Sequence, residues 1–178
     1  LGTKQRSGGE TDIEPSLCCH TACFAMAHDE GSANDEKFED ASQMARRALN
    51  PETMQSGKYE ITPAKKKRKI AVIGGGIGGM EVALTAKKRG HDVTIYEKSD
   101  RLGGVFIAAA APSFKEKDRQ LIRWYTDEVE KSGITVRLNT EIKDISVLDA
   151  DKVVGENGTT ERTLSRRGLA IRREADGS

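Results

Sequence analysis

Ile70-Ala71-Val72-Ile73-Gly74-Gly75-Gly76-Ile77-Gly78-Gly79 is the stretch on which the fold turns. Ile70 to Ile73 is an apolar run of strand length that ends in glycines. Such a run suits a strand buried on both faces of a parallel sheet. From Gly78 to Arg89 the spacing predicts a helix, with Met80, Ala83, Leu84 and Ala86 on its apolar face. Lys87, Lys88 and Arg89 fall in its last turn, where cations favour the helix dipole. Gly90 follows as a stop. Val93 to Tyr96 reads as a second strand. Phe114 to Lys131 reads as a second amphipathic helix, with Phe114, Leu121, Ile122, Tyr125 and Val129 on one side, ended by Gly133. Ile134 to Leu138 is a third strand, with Val136 and Leu138 in phase with Ile134. The order β-α-β-α-β implies a parallel sheet with right-handed crossovers. Three such strands with uncovered edges are marginal for independent stability.

The glycines read as G-x-G-x-x-G at Gly74, Gly76 and Gly79, at the start of a partial Rossmann-type α/β unit. Gly74 makes the tight turn, Gly76 admits a pyrophosphate to the backbone, and Gly79 lets the helix pack on the sheet. Around Ile77 and Gly78 the helix N-terminus offers free N–H groups and a positive dipole end. With 18 glycines in 178 residues, three fixed glycines match by accident in roughly one window per thousand, so context has to confirm the motif. It does: a strand precedes, a helix follows, and Glu97 closes the second strand. A carboxylate there can accept hydrogen bonds from ribose hydroxyls. It also repels a 2′-phosphate, which disfavours NADP. The bland alternative is a glycine-rich turn without ligand, with Glu97 a solvated strand end.

Working outward, residues 1–64 carry 11 acidic and 6 basic side chains, whereas residues 65–178 carry 17 and 23. The change falls at Lys65-Lys66-Lys67-Arg68-Lys69. That run resembles a nuclear localisation signal, but charge runs are usually solvated faces, and a linker before the first strand is the favoured reading. The overall charge of +1 gives no electrostatic case for nucleic acid. No apolar run approaches the ~20 residues of a membrane helix. The domain expectation is an irregular cysteine-containing segment with linker over 1–64, the nucleotide-binding unit over 65–154, and a disordered tail over 155–178. Cys18, Cys19 and Cys23 are clustered and odd in number, which fits reduced cytosolic thiols better than a secreted disulfide framework. Zinc held by Cys18, Cys19, Cys23 and His20 lacks the paired spacing of known sites.

Glu97-Lys98-Ser99-Asp100-Arg101-Leu102-Gly103-Gly104 resembles the E-x-x-x-x-L-G-G segment of two-dinucleotide flavoprotein reductases, which points to the ADP half of FAD. Gly103 and Gly104 permit another close backbone approach. Arg101 either places a charge near the pyrophosphate or is a surface cation. From about Asp12 to Ile142 the chain resembles the middle of the multidomain NADH:flavin oxidoreductases of the old yellow enzyme group. These include 2,4-dienoyl-CoA reductase, enoate reductase and trimethylamine dehydrogenase. The resemblance rests on Pro15 to Cys23, Ala48-Leu49-Asn50-Pro51, the glycine loop, Ala108 to Lys117 and Val136 to Ile142. It implies electron passage from NAD(P)H to FAD, through a 4Fe-4S cluster, to FMN in a catalytic barrel. The barrel and an NAD-binding domain are the implied partners, and this chain carries neither. In the family pattern P-C-x-x-C-x-x-x-C, Cys19 and Cys23 match the second and third ligands. Ser16 stands at the first, and Arg47 at the fourth. Iron–sulfur clusters typically need four thiolates, so no stable cluster is expected. No residue here is nominated as acid, base or nucleophile, and the chain alone is expected to be inactive as a reductase.

Overall fold

The computed structural model describes residues 14–17, 49–50 and 56–155. The chain divides into two units, Leu1–Thr62 and Pro63–Ser178. In the first, helix α1 (Ser56–Tyr59) forms where the sequence reads as linker. Cys18, Cys19, His20, Cys23, Arg47 and the expected tail from residue 156 onward lie outside the described residues.

The second unit is built on a four-stranded parallel sheet in the order β3-β2-β1-β4. Its strands are β1 (Lys69–Ile73), β2 (Asp92–Tyr96), β3 (Thr135–Arg137) and β4 (Lys152–Gly155). Helices α2 (Ile77–Lys88), α3 (Phe106–Ala109) and α4 (Glu116–Lys131) lie between them. The α/β, Rossmann-like class expected from the sequence is therefore the one observed. The strand count is corrected from three to four. Residues 152–155 hold only two apolar side chains and show no period on their own. They become a strand because Val153 and Val154 pair with Ala71 and Val72. Gly155, assigned to the tail in the sequence reading, is the last residue of β4. β1 is consequently interior, flanked by β2 and β4, and the chain steps in opposite directions on its two sides. That arrangement opens a crevice beyond the carboxyl end of β1.

Residues of alternating phase face opposite sides of a sheet, and register aligns Val72 with Ile95 and Val154. Val72, Val93 and Ile95 are buried together with Met80, Ala83, Leu84 and Ala86 of α2 and Leu121, Tyr125 and Val129 of α4. The two crossovers step the same way across the sheet, which lays both helices on one face, and α2 packs against α4. The Tyr125 hydroxyl donates to Glu81 Oε2 at 3.1 Å, tying the two helices. Gly90 (φ +92°) and Gly133 (φ +68°) follow the two helices as read from the sequence.

Phe114 is a correction. It is 83% exposed and precedes α4 rather than sharing its buried side. The Arg119 guanidinium donates to the carbonyls of Ala110 and Pro112 at 2.7 Å each and of Ser113 at 2.9 Å. These bonds hold residues 110–113 in a turn, and helical geometry starts only after it. Leu138 is a smaller correction: β3 ends at Arg137, and Leu138 is 37% exposed before Asn139 takes φ +52°.

The basic run lies at the start of the sheet. Lys67 pairs with Asp92 at 2.8 Å and Lys69 with Asp149 at 2.6 Å. The Lys67 ammonium holds the Asp92 carboxyl below its ordinary range, and Asp149 raises the Lys69 ammonium. All four side chains are exposed, and such pairs contribute little to stability. Among the described residues no helix is long and apolar enough to cross a membrane.

Candidate functional site

Backbone geometry builds the site first. The Gly74 N–H donates to Tyr96 O at 2.8 Å, and its φ of +105° turns the chain out of β1. Gly76 is the N-cap of α2 in extended conformation, with no side-chain cap. Its carbonyl accepts from the Met80 N–H at 2.9 Å. The N–H groups of Ile77, Gly78 and Gly79 have no acceptor within the helix, and they sit at its positive end. Gly79 is buried beneath the first turn, as close helix–sheet packing requires.

Glu97 follows β2 and is buried at 5% exposure. The Gly75 N–H donates to its Oε2 at 2.6 Å. The Ser99 N–H donates to Oε1 at 2.8 Å, and the Ser99 hydroxyl lies 2.8 Å from the same oxygen. Burial pushes the carboxyl up. The Ser99 and Gly75 amides, the Ser99 hydroxyl and the Lys98 charge outweigh it, so the group titrates below its ordinary value. The carboxylate is thus an anion anchored at the glycine loop, not a solvated strand end. Outside it, the Thr140 N–H donates to Glu97 O at 2.8 Å and the Asn139 N–H to Ser99 O at 2.9 Å.

The second glycine pair packs on the first loop. The Gly103 N–H donates to Gly75 O at 2.8 Å, and Gly76 and Gly103 form a parallel bridge. A Cβ on Gly104 would lie 3.1 Å from Gly76 Cα. The close approach read from Gly103 and Gly104 is therefore backbone against backbone. Arg101 donates to both Asp100 oxygens, at 2.8 and 3.0 Å, with both side chains exposed.

A cavity of about 750 Å³ opens over these elements. Its lining includes Gly74, Gly76, Ile77, Glu97, Lys98, Arg101, Gly103 and Gly104 from the sequence reading. Gly78 and Gly79 stand on the adjoining first turn of α2. Other residues of the site were not nominated from sequence, among them Gly75, Ser99, Thr140, Glu141 and Ile142. Gly75 occupies a free position of the motif, and its crowding is tertiary: a Cβ would meet Leu102 Cδ2 at 2.5 Å and Glu97 Oε2 at 3.2 Å. Ser99 has no local signature. Thr140, Glu141 and Ile142 line the cavity beyond β3. The rule that ligands sit outside the carboxyl ends of parallel strands could have found them. Among the described residues no His, Cys, Asp and Glu cluster could hold a metal.

An uncapped helix N-terminus beside a buried carboxylate at the tip of the next strand, both facing one cavity, defines a dinucleotide-binding α/β unit. The comparisons with known proteins agree. The chain belongs to the pyridine nucleotide-disulphide oxidoreductase family, whose model matches residues 40–170. It is 32% identical over 158 residues to cinnamate reductase of Clostridium sporogenes, covering 88% of this chain and 22% of that one. It is 31% identical to NADH oxidase of Thermoanaerobacter brockii, covering 93% and 24%. The structure of a 2-naphthoyl-CoA reductase superposes with a TM-score of 0.76 at 32% identity, over 93% of this chain and 24% of that one. The chain thus spans about a quarter of the length of these relatives. The resemblance to NADH:flavin oxidoreductases of the old yellow enzyme group, read from the sequence, is borne out.

Proposed function

We propose that this chain binds the ADP moiety of FAD at the mouth of β1. In this reading it forms the FAD-binding section of an NAD(P)H-dependent oxidoreductase that reduces activated double bonds of enoate or enoyl-CoA type. The observation that carries the reading is the buried Glu97 carboxylate, bonded to the Gly75 N–H within the glycine loop. The enoate part of that class follows cinnamate reductase, the acyl-CoA part follows 2-naphthoyl-CoA reductase, whose substrate is an aromatic acyl-CoA thioester, and the enoyl-CoA form follows the resemblance to 2,4-dienoyl-CoA reductase.

The residues present fit the cofactor. The first N–H groups of α2 receive the pyrophosphate, and their dipole end contributes ~0.3–2 kcal/mol. Glu97 orients the ribose. The cavity volume lies in the range of small-molecule sites, roughly 300–1,000 Å³. FAD, when bound, supplies two-electron exchange with a nicotinamide and onward transfer to a further acceptor.

Reconstitution tests the assignment. The chain incubated with FAD is expected to retain a flavin absorbance spectrum through desalting. ADP should compete, and adenosine 2′-phosphate-5′-diphosphate should bind at least about tenfold more weakly, because its phosphate meets the buried carboxylate. Uptake of ADP without flavin would reduce the chain to a bare nucleotide-binding module. Equal binding of the 2′-phosphate analogue would remove Glu97 from the ribose site.

The 4Fe-4S cluster implied by the family resemblance does not fit the donor set. Cys19 and Cys23 stand at two ligand positions, with Ser16 and Arg47 at the others. We infer that no stable cluster assembles. Iron and acid-labile sulfide assays on anaerobically purified chain are expected to read far below stoichiometry; four of each per chain would refute the inference.

A further inference from the structure

The Ser99 hydroxyl holds a single proton between two acceptors. Its Oγ lies 2.8 Å from Glu97 Oε1 and 2.8 Å from the Arg101 carbonyl. One hydroxyl proton serves one of them at a time. The frame around it is fixed: the Ser99 N–H stays on Glu97 Oε1, and the Ser99 carbonyl accepts from the Asn139 N–H. Only the hydroxyl has a choice.

Counting acceptor sites shows what the choice does. A carboxylate offers about four lone-pair positions. On Glu97 the Gly75 N–H, the Ser99 N–H and the Ser99 hydroxyl take three of them. About one position remains, whereas a ribose presents two neighbouring hydroxyls. We propose that Ser99 is an exchangeable donor. Without nucleotide its hydroxyl satisfies the buried carboxylate. When a ribose arrives, the proton turns to the Arg101 carbonyl and vacates a second acceptor position on Glu97. Ser99 thereby tempers how strongly the site reads the sugar. The inference rests on Glu97 being the ribose-binding group.

Calorimetric titration of the full chain with ADP and with 2′-deoxy-ADP tests both layers. In the unsubstituted protein a hydroxyl on a buried carboxylate is expected to favour ADP by about tenfold. In Ser99→Ala the carboxylate has one donor fewer and no competitor, so the preference is expected to widen about three- to tenfold further. Ser99→Thr keeps a hydroxyl and is expected to hold the original ratio. If the alanine variant does not fold, Ser99→Cys gives the same reading, since a thiol is a weak donor. A folded Ser99→Ala protein with an unmoved or narrowed ratio would overturn the role of Ser99 while leaving Glu97 in place. A ratio of one in the unsubstituted protein would remove both.

Discussion

Glu97→Gln is expected to weaken ADP binding about a hundredfold and to destabilise the nucleotide-binding unit by about 2–4 kcal/mol. The carboxylate accepts from the Gly75 amide through one oxygen and from Ser99 through the other. An amide side chain must turn its NH₂ toward one of them, so a donor faces a donor inside a buried site. Each buried donor left unsatisfied costs about 1–3 kcal/mol, and bonds to a charged acceptor are roughly twice as strong as neutral ones. In the proposed site a bound ribose loses an anionic acceptor at the same time. The sign of the pH dependence follows from the depressed titration of Glu97. A carboxyl held below its unfolded value contributes stability above that unfolded value, near pH 4. The contribution is lost as pH falls through the lower folded value. Melting temperatures measured from about pH 7 down to about pH 3 are expected to fall for the native chain, with this part of the decline missing in Glu97→Gln. A variant that binds ADP and melts at neutral pH like the native chain would show that the carboxylate neither grips the sugar nor holds the loop.

Gly103→Ala is expected to cost about 3–5 kcal/mol and to abolish flavin retention, because two penalties coincide there. Its φ of +115° is outside any region an L side chain adopts readily. The added Cβ would lie 2.8 Å from Ile107 Cγ1 and 3.1 Å from Ile122 Cγ2. Relief in either direction pulls the Gly103 N–H away from Gly75 O, and the glycine loop loses its backing. Gly133→Ala separates the two penalties. Gly133 also has positive φ, at +68°, but nothing lies within 4 Å of its Cβ position. That substitution is expected to cost only about 1 kcal/mol. Denaturant titrations of both variants give the comparison, and equal losses would mean that backbone strain alone accounts for the requirement at Gly103.

Legibility differed by element. α2 was readable because its apolar positions recur at helical spacing and its glycine stop directly follows. α4 was readable from Leu121 onward, but its start was not. Phe114 has the right spacing for the apolar side, but the Lys115 N–H on the Pro112 carbonyl and the Arg119 guanidinium on three carbonyls put it on a turn. β4 was missed because two valines among polar residues carry no pattern. The pairing of Val154 with Val72 supplies what the local sequence lacks.

From the sequence alone came the parallel β-α-β-α-β core, the phosphate-type loop and the choice of Glu97. These depend on neighbours along the chain: apolar spacing, glycine freedom and a carboxylate placed at a strand tip. The tertiary structure alone decided that β1 is interior and that a Cβ at Gly75 would crowd Leu102 and Glu97. It also decided that the Glu97 carboxylate is shared with the Gly75 and Ser99 amides. Those facts depend on which backbone amides and side chains the fold brings within hydrogen-bond or contact distance, Gly75 with Glu97 22 positions apart and Lys69 with Asp151 82 positions apart among them. Spacing along a chain carries no record of such distances.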